Sequence, residues 1–249
     1  MEYFSLTDIG LVRDKNQDSY ITIYNENRDF LVIVCDGIGG NKAGEVASAE
    51  ICRYFAKLFP MNRGFKDAEE VQTYLKYHVR IASNYVYDMS LKNKDYEGMG
   101  TTITGILFSS VGIFAINAGD SRVYGVSDDL YQITKDHTLV NELLERKLIT
   151  PEEAINHPKK HYVTKFLGVF EGASCDVIPV KEKYDYYLVC SDGLHGYVSD
   201  NYMYKIITDN SFSLGHKSAE LMKAALKAGG YDNITFVLVH LDKGDRYGN

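Results

Sequence analysis

The chain has 249 residues, 45% of them hydrophobic, and 34 Asp and Glu against 27 Lys and Arg give it a formal net charge of −7. That balance disfavours nucleic acids and anionic membranes as partners, because both demand a basic footprint. Apolar runs such as "FLVIVC" are far too short to span a bilayer, and "MEYFSLTDIG" lacks the basic start and apolar stretch of a secretory signal. Four cysteines without CxxC spacing predict a reducing, cytoplasmic location. No Pro/Ser-rich linker, low-complexity stretch or repeat divides the sequence, so one domain over 1–249 is expected.

Residues 19–24 and 30–35 read as a hairpin across the polar loop "NENRD". Val46/Ala47, Ile51, Tyr54/Phe55 and Leu58 then recur at helical spacing, with Pro60 as the stop. A second helix starts at "DAEE", where Asp67 can cap and Glu70 sits three residues on; its predicted apolar face is Val71, Tyr74/Leu75, His78, Ile81 and Tyr85. His78 therefore reads as a helix-face residue rather than a ligand. From 101 to 133 come short strands joined by tight turns, which predicts antiparallel neighbours throughout. Residues 137–173 are polar and helical in short pieces, including "TPEEAI" with Thr150 as cap and Pro151 in the first turn. Strands are predicted at 175–180 and 186–191, helices near 200–208 and 217–228, and a last strand at 234–241. Paired helices between blocks of meandering strands imply an α+β layered fold, not a parallel sheet.

Four apolar runs end in, or start from, an aspartate. "VIVCDGIGG" carries Asp36, "FAINAGD" Asp120, "YLVCSDG" Asp192, and "GGYDNITFVLV" Asp232. Any one of these alone is an ordinary turn, since Asp and Gly both favour turns. Four together supply hard oxygen donors with no histidine or cysteine at ligand spacing, which suits magnesium, manganese or calcium rather than structural zinc. Carboxylates gathered in one cleft repel unless a cation joins them. The adjoining Gly37, Gly119 and Gly193 would let the backbone approach closely. Other phosphate chemistries fit less well. Ile38 stands where an aspartyl-nucleophile phosphatase needs a second acid, "GIGGNKAGE" lacks the phosphate-loop pattern, and "HPKKH" has no glutamate to make a zinc site.

Seven stretches in order resemble the bacterial branch of the metal-dependent protein phosphatases, the protein phosphatase 2C family: "TDIGLVRDKNQDS", "VCDGIGGNKAGEVAS", "GMGTTITG", "NAGDSRVY", "TKDHTLV", "SDGLHG" and "YDNITFVLV". The resemblance covers essentially the whole chain. It implies a four-layer α-β-β-α sandwich, with two antiparallel sheets flanked by helix pairs and a flap at about 137–173. It also implies a serine/threonine phosphatase that uses manganese or magnesium, two ions per site with a third in some members. In that scheme Asp36 bridges two metals, with the Gly37 carbonyl on one of them, and Asp192 and Asp232 complete the ligand set of the second metal. Asp18 acts through a bound water, Asp120 helps hold the third metal, and Arg13 grips the substrate phosphate.

The resemblance further implies direct attack on phosphorus by a metal-activated water. Phosphorylated proteins and an opposing Ser/Thr kinase are the expected partners, and a monomer is expected. The contrasting expectation is a pseudophosphatase that binds phosphoprotein without catalysis, but such members usually lose metal aspartates. Three departures stand out. Ile38 replaces a histidine found in many eukaryotic members, so a metal-bound water or His161 could protonate the leaving oxygen; water is the expectation. Gln17 replaces a glutamate of some members, and Lys165 sits where arginine is common.

Overall fold

The run Phe30–Cys35 is buried on both faces, which requires cover above and below and places its sheet inside a layered fold. The structure is a computed structural model that describes residues 1–38, 43–242, 244, 245 and 247. Residues 39–42, part of one quoted motif, lie outside the described residues.

Its strands in chain order are β1 (Glu2–Asp8), β2 (Asp18–Tyr24), β3 (Phe30–Ile38), β4 (Gly100–Thr101), β5 (Ile103–Ser109), β6 (Gly112–Ala118), β7 (Arg122–Val126), β8 (Leu130–Gln132), β9 (Asp176–Val180), β10 (Tyr186–Cys190) and β11 (Ile234–His240). The helices are α1 (Gly44–Leu58), α2 (Ala68–Lys92), α3 (Leu139–Glu145), α4 (Pro151–Ile155), α5 (Asp192–His195), α6 (Asp200–Thr208) and α7 (Leu214–Lys227). One sheet runs β1-β11-β10-β7-β8 and the other β2-β3-β5-β6-β9, with the short β4 paired to β3. The strand pairings within both sheets are antiparallel.

Three apolar layers bind the sheets and helices into the α-β-β-α order. Ile33, Leu107 and Ile116 meet Ile51, Phe55 and Leu75 of α1 and α2 on one outer face. Leu188, Phe236 and Leu238 meet Met203, Ile207 and Leu221 of α6 and α7 on the other. Between the sheets, Val32, Val34 and Phe108 pack on Val123, Tyr187, Val189 and Val237. The expected fold class is therefore the observed one. Among the described residues no helix is long and apolar enough to cross a membrane.

Local chemistry sets the helix ends as expected. Asp67 accepts from the Glu70 N–H at 2.8 Å while Glu70 accepts from Lys66 N–H at 2.8 Å. Thr150 and Glu153 complete a reciprocal capping box on α4. Two expectations need correction. The buried line of α2 is Val71, Leu75, Val79, Ala82 and Val86, whereas Ile81 and Tyr85 are 37% and 51% exposed. The small residues Ala82 and Ser83 are buried, Ser83 Oγ accepting from the Gly168 N–H at 3.0 Å, and a reading by bulk alone selected the neighbouring stripe. His78, half-buried, bonds Tyr54 Oη through Nδ1 at 2.8 Å, as a helix-face residue.

The second correction concerns the strands at 101–133, where short connections do not all join neighbours. β5–β6 and β7–β8 do pair, but the three-residue link from β6 to β7 passes from one sheet to the other. Gly119 permits this crossing with φ of +131°, and a Cβ there would meet Thr102 at 2.5 Å. Asp120 thus sits where the two sheets exchange the chain.

Phe108 is fully buried between the sheets, edge-on to Tyr187 with centroids 5.1 Å apart. Phe108→Ala should cost about 3–5 kcal/mol of stability, read as a lower urea midpoint with an unchanged slope.

Candidate active site

The strand ends that carry Asp36, Asp120, Asp192 and Asp232 open on one cleft. Asp18 and Asp36 are direct register partners across the β2–β3 pair. Asp120 lies on the β6–β7 crossing, Asp192 follows β10 as the first residue of α5, and Asp232 precedes β11. A cleft of about 590 Å³ is lined by Asp36, Gly37, Asp120, Asp192 and Asp232, with Arg13 and Gln17 beside them. Asp18 is buried just behind it. The structure therefore brings together all seven residues that the sequence singled out.

The carboxylates perturb one another. Burial pushes Asp18 up to about 7, reinforced by the charges of Asp192 and Asp232 and opposed by the Ser191 hydroxyl. Asp120 is also raised to about 7, first by burial and then by Asp192. Asp36 and Asp192 are both raised, by burial and by neighbouring carboxylates. Asp18 Oδ1 and Asp192 Oδ1 are buried acceptors without a hydrogen-bond partner, an arrangement that costs free energy unless something positive supplies the missing interaction. The local counter-charge is Arg13, half-exposed, whose guanidinium donates to Asp232 Oδ2 at 2.7 Å and is held charged by that bond.

The residues that hold this geometry are uncharged and were not singled out in the sequence. The Asp36 N–H donates to Thr102 Oγ1 at 3.0 Å, while Thr101 Oγ1 and Thr102 N–H both donate to the Asp36 carbonyl at 2.8 Å. Thr102 Oγ1 also lies 3.0 Å from Ser121 Oγ, tying the end of β3 to the crossing. Ser191 Oγ donates to Asp18 Oδ2 at 2.8 Å. Asn233, buried, accepts from Gln17 N–H at 2.8 Å and donates to the Ile9 and Lys15 carbonyls at 2.9 Å, fastening the loop that carries Arg13. Gly193 allows α5 to touch β11, since a Cβ would fall 1.9 Å from the Asn233 carbonyl oxygen. The repeated Thr in "GMGTTITG" and the Asn in "YDNITF" were the available signals, but such residues are common in turns and strands.

Gln17 Nε2 donates to Glu45 Oε2 at 3.2 Å, so position 17 is engaged with the start of α1. From the flap, His161 and Tyr162 line the cleft. Among the described residues His161 makes no hydrogen bond that would orient its ring.

The donor set fits hard divalent cations. It is all carboxylate and carbonyl oxygen, it is wholly or partly buried, and it contains orphaned acceptors. Among the described residues no group of three acidic, His or Cys side chains is arranged as a finished shell, and Arg13 takes one of the carboxylates.

A double antiparallel sandwich with an acidic, arginine-bearing cleft at the sheet ends offers donors for divalent cations and a guanidinium for an anionic ligand. The comparisons resolve the class: a sequence model described as protein phosphatase 2C matches residues 12–228. The chain is 35% identical over 239 residues to the serine/threonine phosphatase stp of Listeria monocytogenes serotype 4b, covering 95% of this chain and 94% of that one. The structure superposes with a TM-score of 0.90 on serine/threonine phosphatase Stp1 from Staphylococcus aureus, at 34% identity over 97% of this chain and 95% of that one. It also matches the catalytic domain of serine/threonine protein phosphatase PstP in complex with two manganese ions, with a TM-score of 0.80 and 33% identity over 95% and 96% of the chains. The chain belongs to the protein phosphatase 2C family.

The raised carboxyls set a pH dependence. Between the ordinary value of 3.8 and about 7, folded Asp18 and Asp120 hold protons that the unfolded chain releases, so in cation-free protein these groups make stability fall as pH rises through that window. Asp18→Asn should flatten this fall in melting temperature between about pH 4 and 7, and an unchanged slope would contradict the assignment.

Proposed function

We propose that this chain is a metal-dependent protein serine/threonine phosphatase, one catalytic domain over 1–249 with a flap at about 137–173. The observation that carries the reading is the convergence of Asp36, Asp120, Asp192 and Asp232, from ends of both sheets, on a cleft that also holds Arg13. Phosphorylated proteins are the substrate class, and a bacterial Ser/Thr kinase is the partner whose work it reverses. Manganese or magnesium would be held as two ions by Asp36, the Gly37 carbonyl, Asp192 and Asp232. Asp18 would contribute through a water, and Asp120 would help hold a third ion. When bound, the cations lower the pKa of water and neutralise charge on the phosphoryl oxygens.

The chain's own groups do the positioning. The guanidinium fork of Arg13 can make two parallel bonds to phosphate oxygens; it is half-exposed on a loop fastened by Asn233, so it can turn from Asp232 to a phosphate without refolding. The Thr101–Thr102 contacts keep the Asp36 peptide fixed while its carboxylate changes partners. Among the described residues no serine, cysteine or histidine is poised here as a nucleophile, and hydrolysis proceeds without a covalent enzyme intermediate. Water, rather than the unoriented His161, delivers the proton to the leaving oxygen. The four cysteines are free and buried, in keeping with a reducing cytoplasm, and the chain acts as a monomer.

With manganese, the purified protein should hydrolyse a phosphothreonine peptide, EDTA should abolish the reaction, and Asp192→Ala should remove it. Arg13→Ala should lower kcat/KM by about 10- to 100-fold, the worth of a charge-assisted phosphate contact. Manganese binding without hydrolysis would instead favour a non-catalytic phosphoprotein binder.

A further inference from the structure

The motif "TKDHTLV" carries no part of the chemistry assigned above, yet each polar residue in it is engaged. Asp136 receives Arg122 of β7 through two bonds, Nε to Oδ1 at 2.9 Å and Nη2 to Oδ2 at 2.7 Å. Thr138 caps α3. His137, between them, stands at the neck of the flap, where its carbonyl accepts from Thr164 N–H at 2.8 Å and the next residues, Thr138 and Val163, form an isolated bridge.

The ring of His137 faces the crossing that carries Asp120. The Gly119 N–H donates to His137 Nδ1 at 3.2 Å, and the His137 N–H donates back to the Gly119 carbonyl at 2.8 Å. Because Nδ1 accepts, the ring proton sits on Nε2, which donates to Asp176 Oδ2 at 3.0 Å. Asp176 Oδ1 in turn accepts from Lys165 Nζ at 2.5 Å, on the returning segment of the flap. From the far side, His195 Nε2 donates to the Asp120 carbonyl at 3.0 Å, and Asn117 Nδ2 donates to the Gly119 carbonyl at 3.1 Å.

We propose that His137 is a positioning residue that, as its Nε2–H tautomer, locks the Gly119–Asp120 crossing to the neck of the flap. The crossing needs such a lock. It is a three-residue link between sheets, its backbone groups lie outside both ladders, and Gly119 supplies no side chain to hold it. One imidazole satisfies a backbone donor on one side and a carboxylate on the other, an orienting arrangement that commonly changes activity by about 10- to 100-fold when broken. It also links two walls of the cleft, Asp120 on one side and the flap residues His161 and Tyr162 on the other, so neither moves independently. This inference rests on the proposed phosphatase site for its kinetic consequence, but not for its geometry.

Two substitutions separate the role from plain packing. His137→Asn places Oδ1 where the ring offered Nδ1 and keeps the acceptor for Gly119; His137→Leu keeps bulk and loses it. With manganese and a phosphothreonine peptide, His137→Leu should lose about tenfold or more in kcat, and His137→Asn should stay within about threefold of wild type. In the wild type, ring nitrogen NMR should show Nε2 protonated and Nδ1 free, and the Gly119 amide should exchange slowly with solvent but rapidly in His137→Leu.

Should His137→Leu fail to fold, Asp176→Ala, at a site 52% exposed, removes the outer end of the chain and should still accelerate exchange at Gly119. An Nδ1–H tautomer, equal kinetics for the Asn and Leu variants, or unchanged Gly119 exchange in His137→Leu and Asp176→Ala would overturn the proposal. If the wild type hydrolyses no phosphopeptide, the phosphatase reading fails, while the tautomer and the amide exchange still decide the lock.

Discussion

Five carboxylates crowded at one end of a dry sandwich are the constraint from which the rest of this structure follows. Like charges in a low-dielectric setting cannot all ionise without compensation. Asp18, Asp36, Asp120 and Asp192 accordingly have their pKa values pushed upward. A fold that existed only to be stable would pair these groups or replace them by apolar ones. Here they are delivered by separate strand ends from two sheets, and two of their buried oxygens lack hydrogen-bond partners. The strain is concentrated where function needs it, and the three apolar layers of the sandwich supply the stability that tolerates it.

Holding the crowd in place falls to neutral residues. Thr101, Thr102, Ser121, Ser191 and Asn233 bind backbone groups and the idle carboxylate oxygen without adding charge. Neutral donors leave the net negative potential of the cleft undiminished, which is what a cation-binding cleft requires. Arg13 reaches in as a positive group and donates to Asp232. It sits on a loop rather than a strand, so it can serve as a counter-ion to Asp232 or turn to an anionic ligand.

The layered α+β architecture and the acidic strand ends were legible in the sequence because both are written in local patterns. Apolar runs stopping at Asp36-Gly37 and Asp192-Gly193 mark where strands end, and Asp120 and Asp232 flank two more, but the sequence alone does not say that the four meet. What was hidden depends on neighbours distant in the chain. The β6–β7 link looks like a hairpin turn by length, and only its Gly119 and the alternative partners of each strand send it across to the other sheet. Asp192 reads as a turn residue because a four-residue helix, α5, is too short to show periodicity. The inward stripe of α2 is hidden because the buried Ala82 and Ser83 weigh less in a reading by bulk than the exposed Ile81 and Tyr85. The neutral residues around the aspartates carry no distinctive spacing, so their role emerges only once β3, the crossing and β11 are seen side by side.

The central claim is that the fold keeps protons on buried carboxylates until a divalent cation takes their place. Titration calorimetry of manganese into cation-free protein near pH 7, repeated in buffers of different ionisation enthalpy, tests it directly. The account predicts binding accompanied by net proton release, shrinking as the pH is raised well above 7 and the raised carboxyls ionise unaided. Binding with no proton release near pH 7, or no binding at all, would contradict it.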